Sequence, residues 1–172
     1  MNYFELFEIP VSLIVDQSKL STQYFALQKK YQPGFFTNAD KEEQAEVLEQ
    51  SSMINKGFNI LKDPDNTIKY VLQIKGLLKE EEKYELPPDF LIEMKELNEA
   101  LMDDDILIIE EVETKIFQLQ KSLYHEVQQT IEGYSDDTIA EAQLLQVKDY
   151  YFKKKYLKRI LERLEVMRNI AG

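Results

Sequence analysis

The chain has 172 residues, 44% of them hydrophobic, with 32 acidic against 21 basic side chains and a net charge of −11. That hydrophobic content is ample for a core, while the negative charge repels phosphate backbones and argues against general nucleic-acid binding. With no cysteine at all, a disulfide framework, a thiolate nucleophile and any cysteine-ligated zinc or iron–sulfur site are excluded, and the single His125 cannot build a histidine cage alone.

Five Gly and five Pro are few, and apolar residues recur at helical spacing, so the expected class is all-α. Tyr3 to Phe7 reads as a short apolar turn stopped by Pro10. Asp16 and Ser18 are candidate caps for a helix from Lys19 to about Tyr31, on which Leu20, Tyr24, Leu27 and Tyr31 mark a buried face. Gln32-Pro33-Gly34 breaks it, proline lacking a donor and glycine permitting positive φ. A long helix from about Asp40 to Leu61 follows, capped by Asn38 or Asp40, with a stripe of Val47, Ser51, Ile54, Phe58 and Leu61. The two helices are expected to pair antiparallel, with small Ser51 allowing close approach. A shorter helix over 66–75 ends at Gly76.

Residues 76–87 are dense in charge and end in Leu86-Pro87-Pro88, so a linker is expected there, between a domain at 1–75 and another at 88–172. Asp89 is read as capping a helix whose stripe is Phe90, Met94, Leu97 and Leu101. After the acidic run 103–105, a long helix over 106–131 turns Val112, Ile116, Leu119, Leu123 and Val127 inward. Gly133 and Ser135 mark a turn, and a last helix is expected from about Asp136 to Ile170. Three such helices make an antiparallel bundle. No internal repeat is evident. Met1 to Glu5 carry neither a positive region nor an apolar run, and no apolar stretch is long enough to cross a membrane. The expectation is a soluble, cytoplasmic protein, or a mitochondrial one if a targeting segment has been removed.

The order of these parts is familiar. Asn2-Tyr3-Phe4-Glu5-Leu6-Phe7, a helix ending in basic-Tyr-X-Pro-X, and Ile54-Asn55-Lys56-Gly57-Phe58-Asn59-Ile60-Leu61-Lys62-Asp63-Pro64 resemble a J-domain. The stretch Phe90 to Glu99 resembles the opening of the second domain in the HscB/Jac-type iron–sulfur co-chaperones, and the resemblance covers essentially the whole chain. It implies an N-terminal J-domain that meets a DnaK/HscA-type ATPase chaperone and a C-terminal three-helix bundle that holds an IscU-type scaffold. It also implies a protein that is no enzyme and carries no cofactor or metal. J-domains carry His-Pro-Asp where this chain reads Gln32-Pro33-Gly34, so an imidazole and a carboxylate are missing from the group that stimulates ATP hydrolysis. The chaperone-facing residues carried over are Lys29, Lys30, Tyr31, Gln32, Pro33 and Gly34.

The scaffold-facing positions carried over are Leu91, Ile92, Lys95, Glu96, Glu99 and Phe152. A leucine expected one turn after Leu91 is Lys95 here. The wheel agrees in part: Ile92 falls about 200° from Phe90, among Glu96 and Glu99. Phe152 falls off the stripe Leu144, Val147, Tyr151, Leu157 and Leu161, so both helices are expected to turn apolar side chains outward. The bland alternative is scattered apolar surface. The basic run Lys153, Lys154, Lys155, Lys158 and Arg159 reads first as helix-surface charge. Two rival functions remain: a degenerate J-protein that binds a client without activating an ATPase, and a metal-dependent enzyme built on acidic pairs such as Glu110-Glu111 or the run 80–82.

Overall fold

Four aspartates each sit one residue before a helix and satisfy its orphan amides. Asp16 accepts from the amides of Ser18 and Lys19 at 3.0 and 3.1 Å, Asp40 from Glu43 at 2.7 Å, Asp63 from Asn66 at 2.8 Å and Asp105 from Leu107 at 2.9 Å. Asn2 and Glu5 form a reciprocal capping box on the first helix. Each such cap stabilises its helix by about 1 kcal/mol. The computed structural model describes residues 1–103 and 105–171, the side chain of Ala171 excepted; Asp104 of the acidic run lies outside the described residues.

Among the described residues the protein is all-α, with seven α-helices and no strand: α1 (Tyr3–Leu6), α2 (Gln17–Lys30), α3 (Lys41–Leu61), α4 (Pro64–Ile74), α5 (Pro88–Ala100), α6 (Ile106–Glu132) and α7 (Glu141–Ala171). One-turn 3-10 helices follow α2, at Pro33–Phe36, and α5, at Leu101–Asp103. The chain falls into two compact units. One is Met1–Gly76 with Tyr134–Ile139; the other is Leu77–Gly133 with the chain from Ala140 onward.

In the first unit, Phe4, Phe7, Leu20, Ile54, Leu61 and Leu72 are fully buried. Asn55, Gly57 and Phe58 of α3 each have a physical reason. Asn55 accepts a hydrogen bond from the Tyr24 hydroxyl at 2.8 Å, and Phe58 stacks on the Tyr24 ring at 3.9 Å and 13°. Gly57 lets α1 lie against α3: an added Cβ would stand 2.7 Å from Tyr3 Cδ1 and 3.0 Å from Phe7 Cε2. On α2 only Leu20 is fully buried; Tyr24, Leu27 and Tyr31 are half-buried, because the far half of α2 borders a groove. Tyr70 joins α4 to α1, its hydroxyl accepting from the Tyr3 amide at 2.9 Å. Gly76 ends α4 with φ of 73°, the left-handed stop that glycine supplies.

The second unit is centred on α6 and α7, whose Ile109, Val112, Ile116, Val147, Leu157 and Leu164 are buried. Phe90, Met94, Leu97 and Leu101 are buried as one stripe of α5. Helix α5 starts at Pro88, with Asp89 inside the first turn instead of capping it. Helix α7 starts at Glu141, five residues later than its composition suggests. Asp136 accepts a hydrogen bond from Tyr134 and pairs with Lys75, so 135–139 close as a turn, and Gln143 Oε1 accepts from the Ala140 amide at the helix entrance. Residues 77–87 are not a free linker: Leu78 is buried and Glu82 and Tyr84 are both held by α7.

Candidate functional site

The first candidate surface lies at the end of α2. The Tyr31 amide still donates to Leu27 at 3.0 Å, then Gln32 turns extended and Pro33 opens the 3-10 helix 33–36. Gln44, one turn into α3, donates to the carbonyls of Phe36, Thr37 and Ala39 at 3.0, 3.1 and 3.2 Å and pins the loop's exit. Gly34 does not use the positive φ open to glycine, and an added Cβ would meet nothing within 4 Å. The shape is held by Tyr31, Pro33 and Gln44; nothing about it demands glycine. Lys29 and Lys30 are exposed on the last turn of α2, with the Lys30 ammonium 5.3 Å from the Tyr31 ring centre. The six residues read from the sequence at 29–34 thus share one end of the unit. Gln32 and Gly34 offer no charge there, and the Gln32 side chain makes no cap.

The second surface is on the bundle. Phe90 turns inward, edge-on to Tyr156 at 5.9 Å and beneath the Lys153 ammonium at 5.7 Å. One and two residues on, Leu91 and Ile92 are 44% and 58% exposed. Lys95, Glu96 and Glu99 are exposed on the same helix, and the Lys95–Glu99 pair at 3.9 Å is too solvated to matter for stability.

Phe152 is not the outward apolar side chain expected. It is half-buried, with Tyr84 stacked flat upon it at 4.5 Å and 9°. The Tyr84 hydroxyl donates to Asp149 Oδ1 at 2.8 Å; Asp149 Oδ2 pairs with Lys153 at 2.7 Å. Burial first, and then the Asp149 hydrogen bond, push the Tyr84 phenol up to about 12. Lys148 pairs with Glu82 at 2.7 Å and holds its carboxyl below the usual range. The sequence carried one signal for this arrangement: Tyr84 is the lone aromatic in a run of charge.

Acidic pairs do not assemble elsewhere. Among the described residues no group of three or more His, Cys, Asp or Glu side chains is placed to hold a metal ion, Glu82 is engaged by Lys148, and His125 is exposed on α6. Among the described residues no helix is long and apolar enough to cross a membrane.

Comparison with known proteins places this geometry. The family model described as "HSCB C-terminal oligomerisation domain" matches residues 86–165. Curated "Co-chaperone protein HscB homolog" sequences match along nearly their whole length: one from Vibrio cholerae is 30% identical over 96% of this chain and 95% of its own, and one from Shewanella amazonensis is 32% identical over 96% and 97%. Among solved structures, the chaperone HscB from Vibrio cholerae superposes with a TM-score of 0.75 at 26% identity, all of both chains covered. The human co-chaperone protein HscB superposes with 0.77 at 26% identity, covering 98% of this chain and 82% of that one. Spanning its relatives almost end to end at such identity, the chain belongs to the HscB family, a family of non-enzymatic co-chaperones.

Proposed function

We propose that the chain works in iron–sulfur cluster assembly as a two-handed adaptor. Residues 88–172 hold an IscU-type scaffold through Leu91, Ile92, Lys95, Glu96 and Glu99, with the half-buried Phe152. Residues 1–75 act as a J-domain and dock on a DnaK/HscA-type ATPase through Lys29, Lys30, Tyr31, Gln32, Pro33 and Gly34. The observation that carries the reading is the exposure of Leu91 and Ile92 on a helix whose Phe90, Met94 and Leu97 already complete the packing, so that two apolar side chains are left over for a partner. Acids flank them, which favours a partner with an apolar patch ringed by basic groups. Linking both hands in one chain raises the effective concentration of scaffold at the ATPase, and no covalent step is required of this protein. Its place of work is the cytoplasm.

Binding of purified scaffold to the immobilised chain tests this. Leu91→Ala with Ile92→Ala weakens it about tenfold or more, as expected of two interface anchors, and leaves the melting temperature unchanged. Unaltered affinity removes the scaffold face from α5; a large fall in melting temperature makes both residues core. A second reading, favoured by the uncharged Gln32 and Gly34, is an adaptor that presents the scaffold without accelerating ATP hydrolysis. Single-turnover hydrolysis by the ATPase, with and without the chain, separates the two.

A further inference from the structure

Three large apolar side chains stand in solvent around the loop: Phe25 is 60% exposed, Phe35 70% and Leu48 59%. Unequal helix lengths open space beside them. Helix α2 has 14 residues and α3 has 21, so at 1.5 Å per residue α3 overruns α2 by about 10 Å. Along that overrun only the one-turn 33–36 helix faces α3. A groove of about 420 Å³ opens in the other unit, but at the loop two smaller ones meet. One, of about 250 Å³, is walled by Val47 and Leu48 against Pro33 and Phe36. The other, of about 380 Å³, shares Pro33 and is walled by Phe25 and Lys29 against Ser51 and Ile54. Val47, Leu48, Ser51 and Ile54 fall on one side of α3, so the two grooves follow each other along a single strip.

At the Phe25 end the charge beside the strip is positive: Lys29 lines the groove and Lys30 adjoins it, while Glu42, Glu46 and Glu49 fall roughly opposite on the α3 wheel and Glu43, one turn before Val47, flanks the other end. No charge sits at Gln32, Pro33 or Gly34. The occupant that fits is a protein segment with apolar side chains and acidic neighbours, the apolar groups entering the grooves and the acids meeting Lys29 and Lys30.

We propose that Phe25, Phe35 and Leu48 are specificity-determining residues of the chaperone dock, and that this apolar strip takes up the docking role left by the missing His and Asp. The proposal rests on the chaperone-docking reading above and gives it a mechanism: an apolar segment of the ATPase, flanked by acidic residues, lies along α3 across Pro33.

Calorimetric titration of the full chain with the purified DnaK-type ATPase of the same organism tests it. Wild type binds with a negative heat-capacity change and loses only a few-fold in affinity from low to high salt, as apolar burial does. Phe25→Ser, Phe35→Ser and Leu48→Ser, made singly and together, each weaken binding about tenfold and keep the wild-type melting temperature and scaffold affinity. Unchanged chaperone affinity in folded variants overturns the proposal, as does a wild-type affinity that collapses with salt. Loss of self-association in sedimentation, with chaperone affinity intact, assigns the strip to a second copy and also overturns it. No binding of wild type to the ATPase while scaffold binding persists defeats the docking reading itself, which is a different failure.

Discussion

Gln32→His with Gly34→Asp is the perturbation that isolates the chemistry of the loop from its shape. Gly34 lies outside the positive-φ region, and its added Cβ would meet no atom within 4 Å, so aspartate enters without strain. Replacing a glycine in an ordinary conformation stabilises by about 0.4–1 kcal/mol through the unfolded chain. Gln32 is exposed and makes no side-chain cap, so histidine there displaces nothing. The double variant is therefore expected to melt within a few degrees of wild type. Its functional gain is much larger. A hydrogen bond to a charged partner contributes about 1.5–3 kcal/mol, and 1.36 kcal/mol is a factor of ten; one restored bond made only in the activated complex thus accelerates hydrolysis by at least about tenfold. The assay is single-turnover ATP hydrolysis by the DnaK-type ATPase with saturating scaffold. A folded double variant that gives no acceleration over wild type would falsify the argument, because the loop's two missing groups would then not be what limits stimulation. Wild type already stimulating as strongly as the variant refutes it from the other side.

Three further outcomes follow from the packing. Gly57→Ala gains up to about 1 kcal/mol of helix propensity, but its methyl would stand 2.7 Å from the inner ring atom of Tyr3 and 3.0 Å from the fully buried Phe7. Overpacking of about 1–3 kcal/mol wins, so the first unit melts lower by roughly 5–10 °C in circular dichroism; an unchanged or raised melting temperature means α1 yields freely. Tyr84→Phe keeps the stack on Phe152 and deletes only the bond to Asp149, costing about 1.5 kcal/mol in urea unfolding, and Tyr84→Ala costs about 1 kcal/mol more through the lost stack; equal losses would mean the stack contributes nothing. The Glu82 carboxyl, held low by Lys148, gives pH dependence of known sign. A depressed folded pKa stabilises fully above the ordinary Glu value near about 4.3 and loses that contribution as pH falls through the folded value. Glu82→Gln is accordingly less stable than wild type at neutral pH, and the gap in melting temperature closes in acid; a gap that stays constant down to the most acid point removes Lys148 as the cause.

Much of the fold was legible because its signals are local. Caps at Asp16 and Asp40 and the stripe Phe90, Met94, Leu97, Leu101 involve residues a turn or so apart, where periodicity and capping chemistry speak directly. The exposure of Ile92 was legible for the same reason. What was not legible depends on contacts far along the chain. Tyr84 and Phe152 meet across 68 positions, and beyond that one aromatic nothing in the charged run 77–87 announces that it docks on α7. Wheel geometry placed Phe152 outward correctly with respect to its own helix; it had no means of knowing that another segment covers that side. The late start of α7 was missed likewise, since Asp136 spends its carboxylate on Tyr134 and Lys75 and not on capping.

The loop shows why motif shape and motif chemistry separate so cleanly. Its backbone course is fixed by groups other than Gln32 and Gly34: the Tyr31 amide on Leu27, the Pro33 ring at the start of the 3-10 turn, three carbonyls gathered by Gln44, and Asp40 closing the entrance to α3. The Gln32 side chain makes no cap and an added Cβ at Gly34 would meet nothing within 4 Å, so substitutions there are expected to cost little in folding. Gln44 is where shape is exposed to attack. Gln44→Ala removes the donor shared by Phe36, Thr37 and Ala39, at about 1 kcal/mol of stability, and it loosens 36–39 without touching Lys29, Lys30 or Pro33. Hydrogen exchange of the Ala39 amide, which donates to Phe36 at 3.1 Å, is expected to speed up while the amides of α2 keep their protection. If chaperone affinity falls in that variant although every proposed contact residue is present, the dock requires a fixed strip and not merely the side chains on it; if affinity holds, the grooves form on binding.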